Sequence, residues 1–435
     1  MSRALAEAIW WAGVRAVDPA LLVEQAVRSE PALYQAPRII VVGAGKAGAG
    51  MAAGVEKALA DRLDRLVGLI NVPAGLTAPL HRIRLHAARP AGVNEPRPEG
   101  VAGAEAMLQL LRTAGPQDVA LCLLSGGGSA LLPAPAPGLT LEDKLAVTRL
   151  LHRSGATIAE INCVRKHLSQ VKGGRLAQAF RGQLLLTLII SDVIGDPIDV
   201  IASGPTVADP TTYADACHVL QRYGLWTVIP AAVRQHLEAG CRGEIPETAK
   251  VLPPSVRHRI IGNNRLALDA ARQYATALGY QVLDCGAFIE GETRWVAQVC
   301  AGLIRSILQD GQPVSPPACL LMGGETTVSL GPDSGQGGRN QEFVLALCGF
   351  LGTPHLQAVT VLSGGTDGED GPTDAAGAVA DAEIWKTASQ AGLRWQDYLA
   401  RHDSYTFWKQ AGGLFQTGLT GTNVMDLRVI LIGTP

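Results

Sequence analysis

Six times along this sequence a short apolar run stops at a glycine-bearing segment that also carries a hydroxyl, an amide or a charge: residues 43–46, 125–129, 191–196, 262–264, 323–325 and 363–367. Apolar runs bounded in this way, with helical patterns between them, read as strands of a parallel sheet covered on both faces. The predicted strands are 38–42, 66–72, 82–88, 119–124, 184–190, 260–261, 281–285, 318–322, 326–330, 359–362 and 428–432. Helical periodicity is read at 3–30, 51–60, parts of 162–180, 264–278 and 343–351, and after Thr140, which has Asp143 in the capping-box position. In an open parallel sheet, ligands sit beyond the carboxyl ends of the strands, so the six loops are expected to converge on one crevice.

At 435 residues the chain is too long for one ordinary core. The polar, proline-bearing stretch 242–256 is the expected linker, which gives a Rossmann-like α/β domain at 1–245 and a smaller α/β domain at 255–435. Charged residues make up 17% and the net charge is −2, so nothing draws the whole molecule to nucleic acid or to an anionic membrane, and an anionic substrate must be held by local positive charge. No apolar run reaches the ~20 residues that span a bilayer. Eight dispersed cysteines, without a C-x-x-C, fit buried, reduced thiols, and a cytoplasmic protein is expected.

The stretch 323–342, GGETTVSLGPDSGQGGRNQE, concentrates the chemistry. Two glycines and Glu325 follow a strand, a second short strand is expected at 326–330, and Arg339 and Asn340 open an amphipathic helix. Strand ends, glycines and a helix N-terminus can turn backbone N–H groups toward an anion. Gly43-x-Gly45-x-x-Gly48 follows the first strand and matches the dinucleotide fingerprint. The next strand ends in Asn71-Val72-Pro73, however, with no acid for a ribose, and Lys46 stands where a pyrophosphate would pack, so NAD is disfavoured. There is no G-K-[ST] and therefore no Walker A loop, and no Ser-His-Asp or Cys-His arrangement stands out among the nine histidines.

Lys46 and Arg339 are the candidate catalytic cations for a phosphoryl group in transfer. Gly43, Gly45, Ser125, Gly126, Gly127, Ser129, Asn263, Asn264, Glu325, Asn340 and Asp367 are the candidate substrate- or nucleotide-binding positions on the strand-end loops. Asn162, Arg165 and Lys166 are candidates for holding either a small carboxylate or a phosphate tail. Asp192 and Asp196 are the candidate Mg²⁺ ligands, with help from Glu325 or Asp367, because hard oxygen ligands near phosphates suit magnesium. The base for the accepting hydroxyl is one of the strand-end acids, which also include Asp370. Phosphoryl transfer fits this inventory best, since it asks for positioned cations, a metal and N–H donors.

Read together, the blocks G-A-G-K-A, L-S-G-G-G-S-A-L, N-x-V-R-K-H-L-S-x-x-K-G-G-R-L-A, S-D-V-I-G-D-P-x-D-V-I-A-S-G-P-T, G-G-E-T-T-V, G-G-R-N-Q-E, G-T-D-G-x-D-G-P-T-D-A-A-G-A and T-G-T-N-V-x-D-L resemble the MOFRL-domain glycerate kinases from about residue 38 to the C-terminus. The resemblance implies an ATP- and Mg²⁺-dependent kinase acting on glycerate, usually to give 2-phosphoglycerate, with its active site in a cleft between a Rossmann-like domain and a smaller α/β domain. It also implies Lys46 and Arg339 as the catalytic pair. Expected partners are the small molecules glycerate and ATP, with no nucleic acid and no membrane, and a homodimer is the candidate assembly. Two departures from the family pattern stand out. The family's G-H-P-x-P-D is replaced by residues 87–96, AARPAGVNEP, and its T-G-P-T-G-T-N reads Thr417-Gly418-Leu419-Thr420-Gly421-Thr422-Asn423. Some relatives carry the label hydroxypyruvate reductase, which makes an NAD(P)H-linked enzyme the rival reading; a non-enzymatic sugar-phosphate or nucleotide sensor is the third.

Overall fold

A computed structural model describes residues 2–90, 92, 93, 95–331 and 333–433. Ala91 and Asn94 in the departing stretch, and Pro332 in the glycine-rich loop, lie outside the described residues. The chain forms two compact units, Pro19–Ile261 and Met1–Asp18 with Gly262–Pro435.

The first unit is built on β1 (Ile39–Ala44), β2 (Leu66–Pro73), β3 (Ile83–Arg89), β4 (Val119–Leu124), β5 (Leu184–Ile190) and β6 (Val256–Gly262), in the order β3-β2-β1-β4-β5-β6. The pairs β1/β2, β1/β4, β2/β3 and β4/β5 are parallel. This is the doubly wound order, and its switch point falls between β1 and β4, whose carboxyl-end loops hold Lys46 and Ser125–Ser129. Every residue of β1, β4 and β5 is buried, which is why these strands read as unbroken apolar runs. The helix Leu141–Arg153 starts at the Thr140–Asp143 capping box that its sequence predicts.

The expected boundaries differ from these units at both ends. The helix Ser2–Ala16 belongs with the second unit, where Ala6, Ile9, Trp10 and Val14 share a core with Leu268, Ala271, Leu427 and Val429. The strand expected to open the second domain is instead β6, an edge strand of the first sheet. Edge position explains the misreading: β6 is Val-Arg-His-Arg-Ile-Ile-Gly, too polar in its first half to look like part of a buried sheet.

The second unit holds β7 (Gln281–Asp284), β8 (Ala318–Met322), β9 (Val359–Gly365), β10 (Gly377–Ala380), β11 (Leu414–Phe415) and β12 (Asp426–Ile432), in the order β11-β10-β9-β12-β8-β7. Apart from the parallel pair β7/β8, the pairings are antiparallel, against the expectation of a parallel sheet. The central strands look parallel in sequence because β8, β9, β10 and β12 are buried throughout. One face packs on Phe343, Val344, Leu347 and Trp408, the other on Ile9, Trp10 and Leu268. Since β12 is antiparallel to both β8 and β9, those two run in the same direction, and their carboxyl ends meet the start of β12 at Asp426. The strand expected at 326–330 is absent; Thr327 makes a single bridge to Glu292. The helix Arg339–Leu351 is buried from Asn340 to Cys348 rather than amphipathic. Among the described residues no helix is long and apolar enough to cross a membrane.

Candidate active site

In the first unit, the loops after β1 and β4 are stitched together by their own backbones. Gly45 N donates to Asn71 O (3.2 Å), Lys46 N to Gly126 O (2.8 Å), Ala47 N to Ser125 Oγ (3.1 Å) and Gly48 N to Gly45 O (3.1 Å). A Cβ on Gly43 would overlap Leu123 O, and one on Gly45 would overlap Ser125 Oγ. A Cβ on Gly48 would come within 2.8 Å of Val72 Cγ1. Gly43 thus admits the backbone of β4 and Gly48 the side chains of β2, while Gly45, the glycine that would admit a pyrophosphate, admits Ser125 of the neighbouring loop. Asn71, where the fingerprint has its acid, is buried and donates to Gly100 O and Leu131 O. The N–H groups of residues 45–48 are taken up within the chain. The loop instead presents the Lys46 side chain, whose Cγ lies 3.6 Å from where a Cβ on Gly127 would be. Gly127 itself needs its left-handed φ of +76°.

Beside this loop lies a second group. Ser129 Oγ accepts from Arg165 Nη2 (2.6 Å) and Lys172 Nζ (2.9 Å) and lies 2.9 Å from Ser203 Oγ, while Ser203 Oγ donates to Asn162 Oδ1 (2.9 Å). Asn162, Arg165 and Ser129 are therefore together. Lys166, expected beside them, already has Asp209 at 3.4 Å as its counter-charge. Lys172, which joins this group, was not singled out from the sequence, although it stands in the quoted K-G-G-R-L-A block. Asp192 and Asp196 lie in the loop after β5, where Asp196 N donates to Val193 O and Asp196 holds a left-handed φ of +56°.

The second unit is organised around Asp426, a fully buried carboxylate at the start of β12. It accepts from Arg339 Nε (2.8 Å) and Nη2 (3.0 Å), from Asn340 Nδ2 (2.8 Å) and from Arg428 Nη2 (3.0 Å). The Arg339 pair is two-pronged, the geometry in which a planar guanidinium binds a carboxylate most firmly. Glu325 Oε1 lies 3.0 Å from Arg339 Nη1. Burial alone would lower the Arg339 pKa, but Asp426 and Glu325 more than offset that and hold it above the usual arginine value, so it stays charged. Burial alone would raise Asp426; Arg339 and Arg428 win, and its carboxyl sits below the usual range. Burial pushes Glu325 up, with Arg339 opposing and Asp426 and Asp367 adding to the rise.

Asp370 caps the helix that Arg339 opens. Its carboxylate accepts from Asn340 N (3.0 Å) and Gln341 N (2.9 Å), and a Cβ on Gly338 would overlap it. Burial pushes Asp370 up to about 7, against the pull of those two N–H groups. This helix N-terminus is thus already capped by a carboxylate of the same chain. Asn263 is likewise a cap, accepting from Leu266 N (3.0 Å). Asn264 is a brace: its Nδ2 donates to Val424 O and Asp426 O, and its Oδ1 accepts from Gly324 N. Asn340 Oδ1 accepts from Ser363 Oγ (2.6 Å), and Asp367 Oδ1 from Glu369 N (3.1 Å). Asp426 and Arg428 escaped sequence reading, though two opposite charges two residues apart at the head of an apolar strand were a usable signal.

Among the described residues no three His, Cys, Asp or Glu side chains gather as a metal-binding group. Mg²⁺ beside phosphates needs only one or two carboxylates, the remaining ligands being water and phosphate oxygens, and Asp192 and Asp196 are donors of that kind.

Fold and site define a two-unit α/β protein whose strand ends present basic side chains and whose fingerprint glycines are packed by the chain itself. Residues 5–238 match the family described as "Domain of unknown function (DUF4147)" and residues 318–426 the MOFRL family. A glycerate 2-kinase of Pyrococcus horikoshii is 40% identical over 91% of this chain and 87% of its own length. A protein of Agrobacterium vitis named as a hydroxypyruvate reductase is 42% identical over 99% and 95%. The crystal structure of a Thermotoga maritima glycerate kinase matches with a TM-score of 0.85 at 36% identity, covering 98% of each chain. The chain belongs to the MOFRL-domain glycerate kinase family.

Proposed function

We propose that the chain transfers the γ-phosphoryl group of ATP to the C2 hydroxyl of glycerate, giving 2-phosphoglycerate. The observation that carries this reading is Arg339, kept charged and fixed in orientation by buried Asp426 while its side chain remains partly exposed. A guanidinium held in that way offers its remaining N–H donors, already oriented, to a transferring phosphoryl. Lys46, a compact cation at a strand-to-helix elbow, is assigned the same task from the first unit. Asp192 and Asp196 are assigned to Mg²⁺, whose chemistry, when bound, is to neutralise charge on phosphate oxygens. The names of the Pyrococcus and Thermotoga relatives support the acceptor.

The name of the Agrobacterium relative favours an NAD(P)H-linked reductase instead. The packing of Gly45 against Ser125 counts against that reading, because it fills the place where a pyrophosphate would approach. The two readings separate in one assay, following ADP from glycerate, ATP and Mg²⁺, and following NADH loss at 340 nm with hydroxypyruvate. NADH loss without ADP would end the kinase reading. Lys46→Ala and Arg339→Ala should each lower kcat ~10²-fold or more with the melting curve of a folded protein; near-normal rates would remove those assignments.

A further inference from the structure

Positive charge in the first unit is distributed in two ways. Lys166 is buried and faces Asp209 at 3.4 Å and Asp199 at 3.9 Å. Lys172 is just as buried, but its Nζ meets only neutral oxygens among its hydrogen-bond partners: Ser129 O (3.2 Å), Ser129 Oγ (2.9 Å), Ala202 O (3.1 Å) and Ser203 Oγ (3.4 Å). Lys144 is 8% exposed, and its Nζ is buried with no hydrogen-bond partner among the described residues. The Nδ2 of Asn162, buried in the same group, is also without one. Arg165, Lys144 and Lys166 all bear electrostatically on Lys172, and Arg165 and Arg175 on Lys144.

An unpaired buried ammonium is costly, and burial with the neighbouring cations lowers the pKa of both Lys144 and Lys172; an anion bound beside them would supply the missing sign and restore their charge. The backbone around the cluster is strained as well: Ala202 and Ser203 both hold left-handed φ values, +52° and +61°, and Lys172 grips Ala202 O and Ser203 Oγ. Strain of this sort collects at sites that must hold a fixed shape. Ser129 and Arg165 are half-buried, whereas Lys144, Asn162 and Lys172 are buried. The group thus has a wet rim and a dry basic floor.

We propose that Lys144, Arg165 and Lys172, with the hydroxyls of Ser129 and Ser203 and the amide of Asn162, form a binding site for a small oxyanion. Within the kinase reading, on which this assignment of source rests, the oxyanion is either the carboxylate of glycerate or a phosphate group of the nucleotide or product. Lys144 and Lys172 bind the substrate in this account, and neither was legible as a binding residue from sequence.

The test is titration calorimetry on the full chain at fixed ionic strength, with sodium D-glycerate, inorganic phosphate and ATP as separate probes. Lys144→Met is the clean variant, because its Nζ holds nothing else in place; Lys172→Met is the second. Lys57→Met, whose side chain is 62% exposed and paired with Glu24, controls for net charge. The expected result is that Kd rises about tenfold or more in both cluster variants and stays unchanged in Lys57→Met. Loss confined to glycerate identifies the carboxylate as the occupant, and loss confined to phosphate and ATP identifies a phosphate. Equal affinity of the wild type and Lys144→Met for every probe, or no binding of any probe to the wild type at millimolar concentration, overturns the site. These readouts need no turnover, so an absence of ADP formation would sink the kinase reading while leaving this proposal to stand or fall by itself.

Discussion

Replacing Asp426 with asparagine removes one charge from a lattice in which two guanidiniums and an amide converge on a single carboxylate. Arg428 is fully buried; without Asp426 its hydrogen-bond partners are Thr326 Oγ1 at 2.9 Å and Gly323 O at 3.4 Å, both neutral. Removing one partner of a buried ion pair costs ~3–5 kcal/mol, because the other charge is left in a dry interior. For a folding unit of this size each kcal/mol lowers the melting temperature by about 2–4 °C, so Asp426→Asn should melt roughly 6–20 °C below wild type by scanning calorimetry. Glu325→Gln is the built-in comparison. It touches the same arginine at 3.0 Å, but its side chain is 42% exposed, and exposed pairs contribute ~1 kcal/mol or less. The pH dependence has a definite sign. The folded pKa of Asp426 lies below its unfolded value of about 3.9, so its contribution is fully present above that value and fades as pH falls through the folded pKa. The gap between wild type and Asp426→Asn should therefore be flat above about pH 5 and close in stronger acid. An Asp426→Asn protein that melts within about 2 °C of wild type at neutral pH would refute the claim that this carboxylate organises the second unit.

Two further substitutions test the first unit. Gly45→Ala places a methyl into Ser125 Oγ and should cost about 1–3 kcal/mol in urea denaturation, with partial recovery in Gly45→Ala/Ser125→Gly; no loss would mean the two loops are not in close contact. Burial lowers the Lys144 pKa to about 7, with Arg165 and Arg175 adding to the fall, against about 10.4 in the unfolded chain. Between those values the unfolded state binds the extra proton, so this lysine makes wild-type stability rise with pH; below about 7 the full burial cost applies. In buffer free of phosphate and carboxylates, Lys144→Met should be more stable than wild type by a few kcal/mol at pH 6, with the advantage shrinking toward pH 10. An advantage that is absent at pH 6, or that grows with pH, would contradict the placement of the ammonium.

The first sheet was legible in the sequence because β1, β4 and β5 are buried throughout, and a run of Ile, Leu and Val ending in glycine has few other uses. The second sheet was legible as strands but not as a topology. Direction depends on connections, and a buried antiparallel strand such as β12 has the same composition as a parallel one. The place of the helix Ser2–Ala16 was hidden for a related reason: an amphipathic stripe shows that a helix packs, not on which sheet. Among the residues that hydrogen bonds bring together in the two units, Arg339, Asn162, Arg165 and Ser129 were singled out by charge and amide placement beside glycine loops. Asp426, Arg428, Lys144 and Lys172 were not, because a buried charge is recognised by what surrounds it, and its partners are 87 residues away for Arg339 and Asp426 and 43 for Lys172 and Ser129.

The glycine loops have a physical reading different from the one their pattern suggests. Fingerprint glycines are commonly explained by a ligand's need for close approach to bare backbone. In this chain the approaching groups are its own: Ser125 at Gly45, Asp370 at Gly338 and Asn264 at Gly323. Each brings a side-chain oxygen that accepts from a nearby backbone N–H: Ala47 N for Ser125, Asn340 N and Gln341 N for Asp370, and Gly324 N for Asn264. Once those donors are satisfied internally, an anion bound at these loops would have to be recognised by the side chains the loops carry or support. Such a site loses affinity charge by charge when its lysines and arginines are neutralised, whereas a site made of backbone N–H groups would be nearly indifferent to those changes.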